Sequence, residues 1–326
     1  MSDSYSFLGK ELESPLINAE GSINGTVKEE ILNRFEILAN SAIGAITFGS
    51  ITIPVQTGNE AKFGGPVYYH DKEKGETYNA IGVPNISLKD AILLMPELLA
   101  IAHERGKPVM VSMSPTLATS EIGDSFQQTK VLVHEFLNTG VDGIIINTSC
   151  PNIVTSDGQR KPMLGYDLEG MQRLAFELVP IIGTDRRVGL KLPPYMADED
   201  KKKVPVLANL LKSQDIFSFI VTSNTIPNQI ARDEKGNAIL SVPGGAGGMS
   251  GPATRELGRD QLKMWVDELK GEKDIISTLG IGNGRELARR IELGANLGGG
   301  VTFLWESSNW GKAVSKMLEE FIAYEG

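Results

Sequence analysis

The chain has 326 residues, 41% of them hydrophobic, enough for one large α/β barrel or two ordinary domains with a substantial core. A formal net charge of −9 and a pI near 5.1, with no concentrated basic stripe, argue against nucleic acid as a partner. The single cysteine excludes an intramolecular disulfide framework, no segment is long enough to span a bilayer, and the N-terminus lacks the basic and apolar regions of a signal peptide, so the expectation is a soluble, cytoplasmic protein.

Short runs rich in Ile and Val alternate with longer runs of helical period. In chain order, strands are expected over residues 15–20, 43–49, 108–113, 142–147, 187–192, 217–222, 274–278 and 299–304. Helices are expected over 27–39, 88–105, 126–138, 168–182, 204–213, 254–269, 285–293 and 310–324. Thr26 with Glu29, and Ser87 with Asp90, have the spacing of capping boxes.

About eight βα units fit a closed parallel (β/α)8 TIM barrel better than an open sheet, within one domain over residues 1–326. Reactive residues then belong at the C-terminal ends of strands, where Ala19, Gly49, Ser112, Asn147, Lys191 and Asn224 fall. The connections over 51–85, 148–166 and 223–252, after the second, fourth and sixth strands, are far longer than the usual few residues. Connections of that length over a barrel mouth suggest a built site or a lid.

The run Asn147-Thr-Ser-Cys150-Pro151-Asn152 follows the apolar stretch Ile144-Ile145-Ile146 and places a thiol between two amides where a strand gives way to a loop. A buried structural cysteine would also fit there. Lys191 ends the strand Val188-Gly-Leu-Lys191 with its ammonium toward the mouth. Such a lysine suits the negative edge of a reduced flavin, a Schiff base, or a structural ion pair with a core carboxylate. Asn79, Asn147, Asn152 and Asn224, at strand ends or in mouth loops, suit a planar heterocycle with alternating N–H and C=O groups. The glycine loops at 244–248 and 278–284 suit an anion at a helix N-terminus, or simple turns. The three histidines show no metal-ligand spacing, so no metal is expected, and no G-x-S-x-G elbow occurs.

With these motifs the chain resembles the dihydroorotate dehydrogenases, FMN-dependent (β/α)8 barrels, and most of all their soluble class 1A branch. The matching runs are Asn18-Ala19-Glu20-Gly21, Tyr78-Asn79-Ala80-Ile81-Gly82-Val83-Pro84-Asn85, Asn147-Thr-Ser-Cys150-Pro-Asn152, Lys161-Pro-Met-Leu-Gly-Tyr166-Asp167, Gly189-Leu-Lys191-Leu-Pro-Pro-Tyr195 and Ser223-Asn224-Thr225-Ile226, with the glycine loop 244–248. The resemblance implies that Cys150 is the base removing the C5 proton of dihydroorotate while hydride passes to FMN. It implies a substrate site of Asn79, Gly82, Val83, Asn147, Asn152, Asn224 and Thr225. It implies an FMN site of Ala19, Gly21, Gly49, Ser50, Ser112, Asn147, Lys191, Gly247, Gly248, Gly280 and Thr302. It also implies a soluble electron acceptor such as fumarate and a homodimer. The chain departs from the family pattern at Glu20, where a serine is usual, at Phe48, where a lysine is expected near flavin and substrate carboxylate, and at Leu279 and Val301, where glycines are usual. Those departures leave two alternatives, a related flavin barrel acting on an uncharged cyclic amide or enone, and a barrel that has lost FMN and catalysis.

Overall fold

The computed structural model describes residues 5–116, 120–154 and 159–325. Eight parallel strands form the central sheet: β1 (Leu16–Asn18), β2 (Ile46–Ile51), β3 (Val109–Met113), β4 (Gly143–Asn147), β5 (Val188–Lys191), β6 (Phe219–Val221), β7 (Asp274–Ser277) and β8 (Leu297–Gly300). Neighbours pair in sequence order, β8 pairs with β1, and a parallel bridge from Ile17 to Ala45 joins β1 to the start of β2. The expected TIM barrel is therefore observed. Around it lie α1 (Lys28–Ala39), α2 (Leu88–His103), α3 (Ser125–Leu137), α4 (Leu168–Ile182), α5 (Lys203–Ser213), α6 (Arg255–Leu269), α7 (Gly284–Glu292) and α8 (Trp310–Glu325).

Because both faces of each strand are buried, successive side chains enter two different cores. On β4, Ile144 and Ile146 pack outward with helix residues such as Leu132, Phe136 and Met171, whereas Ile145 packs inward with Met110, Phe219 and Leu297. A hairpin of Tyr5–Phe7 and Lys10–Leu12 seals the bottom of the barrel, with Phe7 edge-on to Phe219 at 5.0 Å between ring centroids.

Local expectations held unevenly. Ser87 accepts a hydrogen bond from the Asp90 backbone N–H at the start of α2, as its spacing suggested. Thr26 does not cap α1, whose first residue is Lys28 and whose N-cap position is Val27. A capping box that the sequence reading missed, Asp124 with Gln127, starts α3. Strand eight lies two residues earlier than expected at its start, and Thr302–Trp305 is helical. Its glycines hid it, since they carry no strand propensity. They are there because a Cβ on Gly298 would lie 2.3 Å from Leu287 and one on Gly299 2.9 Å from Ile17.

The long connections after β2 and β6 are not loose. Strands Ile226–Ile230, Ala246–Ser250, Glu76–Asn79 and Tyr68–Asp71 pair antiparallel, in that order, into a second sheet over the mouth. Of the 244–248 glycines, Gly247 and Gly248 thus belong to a strand and Gly244 and Gly245 to the short 3-10 turn that leads into it. They do not form an anion loop opening a helix, because the whole strand Ala246–Ser250 intervenes before α6.

Behind the barrel wall, the fully buried Arg290 of α7 organises the turn that follows β7. Its guanidinium pairs with Glu286 at 2.7 Å and donates to Ser277 Oγ and to the carbonyls of Thr278, Leu279 and Arg255. This set satisfies the five donors that a buried guanidinium must place. Arg290→Met is expected to cost about 3–5 kcal/mol of folding stability, because it strands the buried turn carbonyls and leaves Glu286 with Arg259 as its one ionic partner. Urea unfolding of the variant beside wild type measures it, and a loss below about 1 kcal/mol would contradict this role.

Candidate active site

The C-terminal ends of the barrel strands open into one pocket walled on its outer side by the mouth sheet. The barrel contributes Ala19, Glu20 and Gly21 after β1, Ser50 on β2, Asn147 on β4 and Lys191 on β5. Asn224 and Thr225 follow β6, residues 278–281 follow β7, and Gly299 to Thr302 complete the ring at β8. Cys150, Pro151 and Asn152 enter from the connection after β4, of which residues 155–158 lie outside the described residues. Asn79, Gly82 and Val83 enter from the connection after β2, and Tyr68 and Trp305, edge to face at 5.2 Å, border the β8 side.

Most of the residues singled out in the sequence therefore meet here. Gly49, Ser112, Gly247 and Gly248 do not line the pocket. Gly49 accepts the Gly21 N–H at 2.9 Å and donates to the Ile23 carbonyl, and Ser112 shares a 2.8 Å hydrogen bond with Ser50, so both hold pocket residues from behind. Gly247 and Gly248 let the mouth sheet close: a Cβ on the first would lie 2.4 Å from the Asn79 carbonyl, and one on the second 2.0 Å from Thr225 Oγ1.

Phe48 does not stand where a site cation would. Ile46 and Phe48 share the outward parity of β2 and are fully buried in the core between barrel and helices. The strand is irregular between Phe48 and Ile51, and only beyond that break does Ser50 reach the pocket, so Phe48 itself lies on the face turned away from the mouth.

Lys191 has the inward parity of β5 and donates to Glu20 at 2.7 Å, with the two side chains 9% and 4% exposed. Of the three roles open to this lysine, the ion pair is present. Glu20 is the family departure that creates it, and its second oxygen is buried without a partner. These are the only charged residues lining the pocket among the described residues, and they compensate each other.

The amides form two linked sets. Asn152 donates to Asn79 Oδ1 at 2.7 Å, leaving Asn152 Oδ1 buried and unpartnered. Asn224 donates to Ser149 Oγ at 3.1 Å and more weakly to Asn147 Oδ1 at 3.4 Å, and its own carbonyl accepts the Thr225 N–H at 2.8 Å. Asn59, which sequence reasoning missed, is buried and donates to the carbonyls of Ala80 and Asn152, tying the segment after β2 to the cysteine loop.

Cys150 is a free cysteine, partly exposed as a residue. Burial pushes its thiol above the ordinary range, opposed by the Asn152 backbone N–H, by positive Lys191 and Lys161, and by the Ile153 backbone N–H. Its loop is fixed from below: Thr148 Oγ1 donates to the Lys191 carbonyl at 2.8 Å, and Tyr195 OH donates to the Gly165 carbonyl at 2.7 Å. That contact, with Gly165 packed too closely on Pro193 to admit a Cβ, explains why the runs 161–167 and 189–195 occur together.

The family model for dihydroorotate dehydrogenase matches residues 4–322. The chain belongs to the dihydroorotate dehydrogenase family. Among curated relatives, "Probable dihydroorotate dehydrogenase A (fumarate)" of Enterococcus faecalis is 26% identical over all of this chain and 96% of that protein. Dihydroorotate dehydrogenase A (fumarate) of Lactococcus lactis subsp. lactis is 25% identical over 89% of this chain and 84% of its own. The crystal structure of the Eimeria tenella DHODH in complex with ferulenol superposes with a TM-score of 0.75 at 16% identity, covering 98% of this chain and 83% of that one, and shares the fold. Members of the family are oxidoreductases acting on CH–CH groups, and this chain is an enzyme of that kind. No helix among the described residues is long and apolar enough to cross a membrane.

The packing reading of the mouth-sheet glycines is testable against the phosphate reading. Gly247→Ala is expected to lose about 1–3 kcal/mol by overpacking against the Asn79 carbonyl. Thermal melts measure it, and an unchanged melting temperature with weakened phosphate binding would restore the anion-loop role.

Proposed function

We propose that this chain oxidises dihydroorotate to orotate in pyrimidine biosynthesis, with FMN as its bound cofactor. The observation that carries the reading is the convergence of a thiol, paired amides and a buried lysine on one pocket at the C-terminal mouth of the barrel. The pocket has a feature that suits a large planar cofactor: Gly21 lines it, and a Cβ there would project into open space, with small Ala19 beside it. Ala19, Gly21, Ser50, Asn147, Lys191, Gly280 and Thr302 hold FMN, with Gly49 and Ser112 supporting them from behind. When bound, FMN supplies the acceptor for the hydride leaving C6 of the substrate.

The protein's own work is the proton and the orientation. Cys150 as thiolate takes the C5 proton: the C–H bond breaks and an S–H bond forms. Asn79, Asn147, Asn152 and Asn224 offer amide donors and acceptors to the ring, and Asn152 Oδ1, bare and buried, awaits a ring N–H. Gly82, Val83 and Thr225 complete the substrate wall. The same reading makes the protein one FMN-binding domain that works in the cytoplasm as a homodimer and passes electrons to a soluble acceptor, as the fumarate named for its relatives suggests.

Cys150→Ala is expected to keep a yellow, FMN-bearing protein and lose about 10²–10⁴-fold in turnover. Because the thiolate is the active form and burial raises the thiol's pKa, wild-type turnover falls as pH is lowered from the alkaline range. Stopped-flow reduction of the flavin by dihydroorotate measures both. Turnover within a few-fold of wild type in the alanine variant would assign the proton to another group.

A second reading has its own observation, the charge-compensated pocket. With Lys191 held by Glu20, a substrate carboxylate finds no unpaired cation among the described lining residues, which favours an uncharged cyclic amide. A charge-assisted hydrogen bond is worth roughly 1.5–3 kcal/mol, or on the order of 10–150-fold in affinity. Titrating the flavin spectrum with orotate and with uracil separates the two: tighter orotate binding by that margin supports dihydroorotate, and equal or tighter uracil binding supports the uncharged amide.

A further inference from the structure

Behind Cys150, on the side away from the main pocket, lies a second cavity of about 20 Å³. That is room for about one water molecule. Cys150 and Asn147 belong to the walls of both cavities, so the two spaces adjoin at these residues. The second cavity is lined by Ser114 and Pro115 after β3, by Ser125 and Thr129 of α3, by Thr148 and by Lys161. Ile146, Ile153, Pro162, Met163 and Leu164 complete its wall, so a few hydroxyl groups and one ammonium share a largely apolar, water-sized space beside the sulfur.

Lys161 is held there deliberately. Its ammonium donates to the Pro115 carbonyl at 2.8 Å, and its backbone N–H donates to the Ile153 carbonyl at 3.0 Å, closing the cysteine loop on itself. Among the described residues it has no carboxylate in an ion pair, unlike Lys191. The charged groups facing Cys150 are Lys191 and Lys161, and the ionisable group facing Lys161 is Cys150. Lys191 is compensated by Glu20, so the uncompensated charge next to the sulfur comes from Lys161.

We propose that Lys161 acts through the sulfur as a positioning residue, stabilising the Cys150 thiolate from the second cavity and accepting the proton that the thiol must shed. This rests on Cys150 being the base. The proton balance is closed: the thiol S–H passes its proton to the neutral Lys161 amine, leaving a thiolate and an ammonium. The thiolate takes the substrate C5 proton, and the ammonium releases its own proton to solvent. For that exchange the lysine must give up its proton near working pH, and burial brings Lys161 down to about 8. Thiol and amine then titrate as a coupled pair.

The single cysteine makes the test direct. The rate of Cys150 alkylation by iodoacetamide, followed against pH on the intact protein by mass, reads the thiolate without turnover. Wild type is expected to show two coupled steps. Lys161→Met is expected to move the onset of alkylation up by about one pH unit, whereas Lys161→Arg keeps the charge and leaves the onset within about half a unit of wild type. Lys161→Arg nonetheless loses turnover about tenfold or more, since a guanidinium does not take up the proton. An unchanged onset in Lys161→Met, or equal shifts in both variants, overturns the proposal. If Lys161→Met does not fold, a single-step wild-type profile at the raised thiol value overturns it as well. Full turnover in Cys150→Ala defeats the base assignment separately, because the alkylation profiles do not depend on turnover.

Discussion

Everything in this molecule that bears on chemistry follows from the two-residue period of strands buried on both faces. A side chain of one parity enters the barrel, and one of the other parity enters the shell of helices. On β4 and β5 this brings Asn147 and Lys191 to the axis at the last inward position, above Ile145 and Gly189. Below them the barrel is filled: a Cβ at Gly189 would meet the Phe219 ring at 2.5 Å, and Phe7 closes the bottom. Polar groups therefore gather in the top layer over a dry floor, where charges interact more strongly than they would in water.

A dry floor makes an unpartnered polar group costly, and the loops around the site show how that cost is met. Carbonyls turned inward by the strand-to-loop bends are bound by specific side chains: Thr148 on the Lys191 carbonyl, Tyr195 on that of Gly165, and Arg290 on those of Thr278 and Leu279. Gln261 of α6 exchanges two hydrogen bonds with the Tyr195 backbone, so the tyrosine is held from the helix shell as well. Leu279, left-handed at φ 66°, sits in the turn that Arg290 grips. Helix residues thus set the backbone on which the pocket is built, although none of them faces it.

What the sequence made legible was what repeats or stands alone. The βα alternation gave the barrel, and helices such as 168–182 matched to the residue because their apolar stripes are long. The site was legible through rare residue types at strand ends: one cysteine, one lysine and amides. Failures came where the signal was short or carried by glycine. Strand eight reads Leu-Gly-Gly-Gly because close packing on Leu287 and Ile17 leaves no room for side chains, and that necessity looks like a turn. The glycines at 244–248 looked like an anion loop for a similar reason, though their purpose is close approach between two strands. Phe48 was misjudged because reading position along a strand without parity puts a side chain on the wrong face. Arg290 and Asn59 were missed because an i,i+4 pair with Glu286 looks like a surface helix pair, and the carbonyls that both side chains bind are remote in the chain.

Charge is distributed unevenly around Cys150. On the main-pocket side the lysine is paired, so binding there turns on amides and shape and leaves one carboxylate oxygen of Glu20 to find a donor in whatever occupies the pocket. On the other side the lysine donates to a carbonyl, which orients it without cancelling its charge. A thiol between a charge-compensated pocket and a positive lysine is favoured as the thiolate by the charge behind it, while its lone pair remains open to the pocket. The family's serine in place of Glu20 would leave Lys191 positive and put charge on both sides of the sulfur. The glutamate therefore does more than pair a buried lysine. By compensating Lys191 it leaves Lys161 as the positive side chain beside the sulfur that has no ion-pair partner among the described residues.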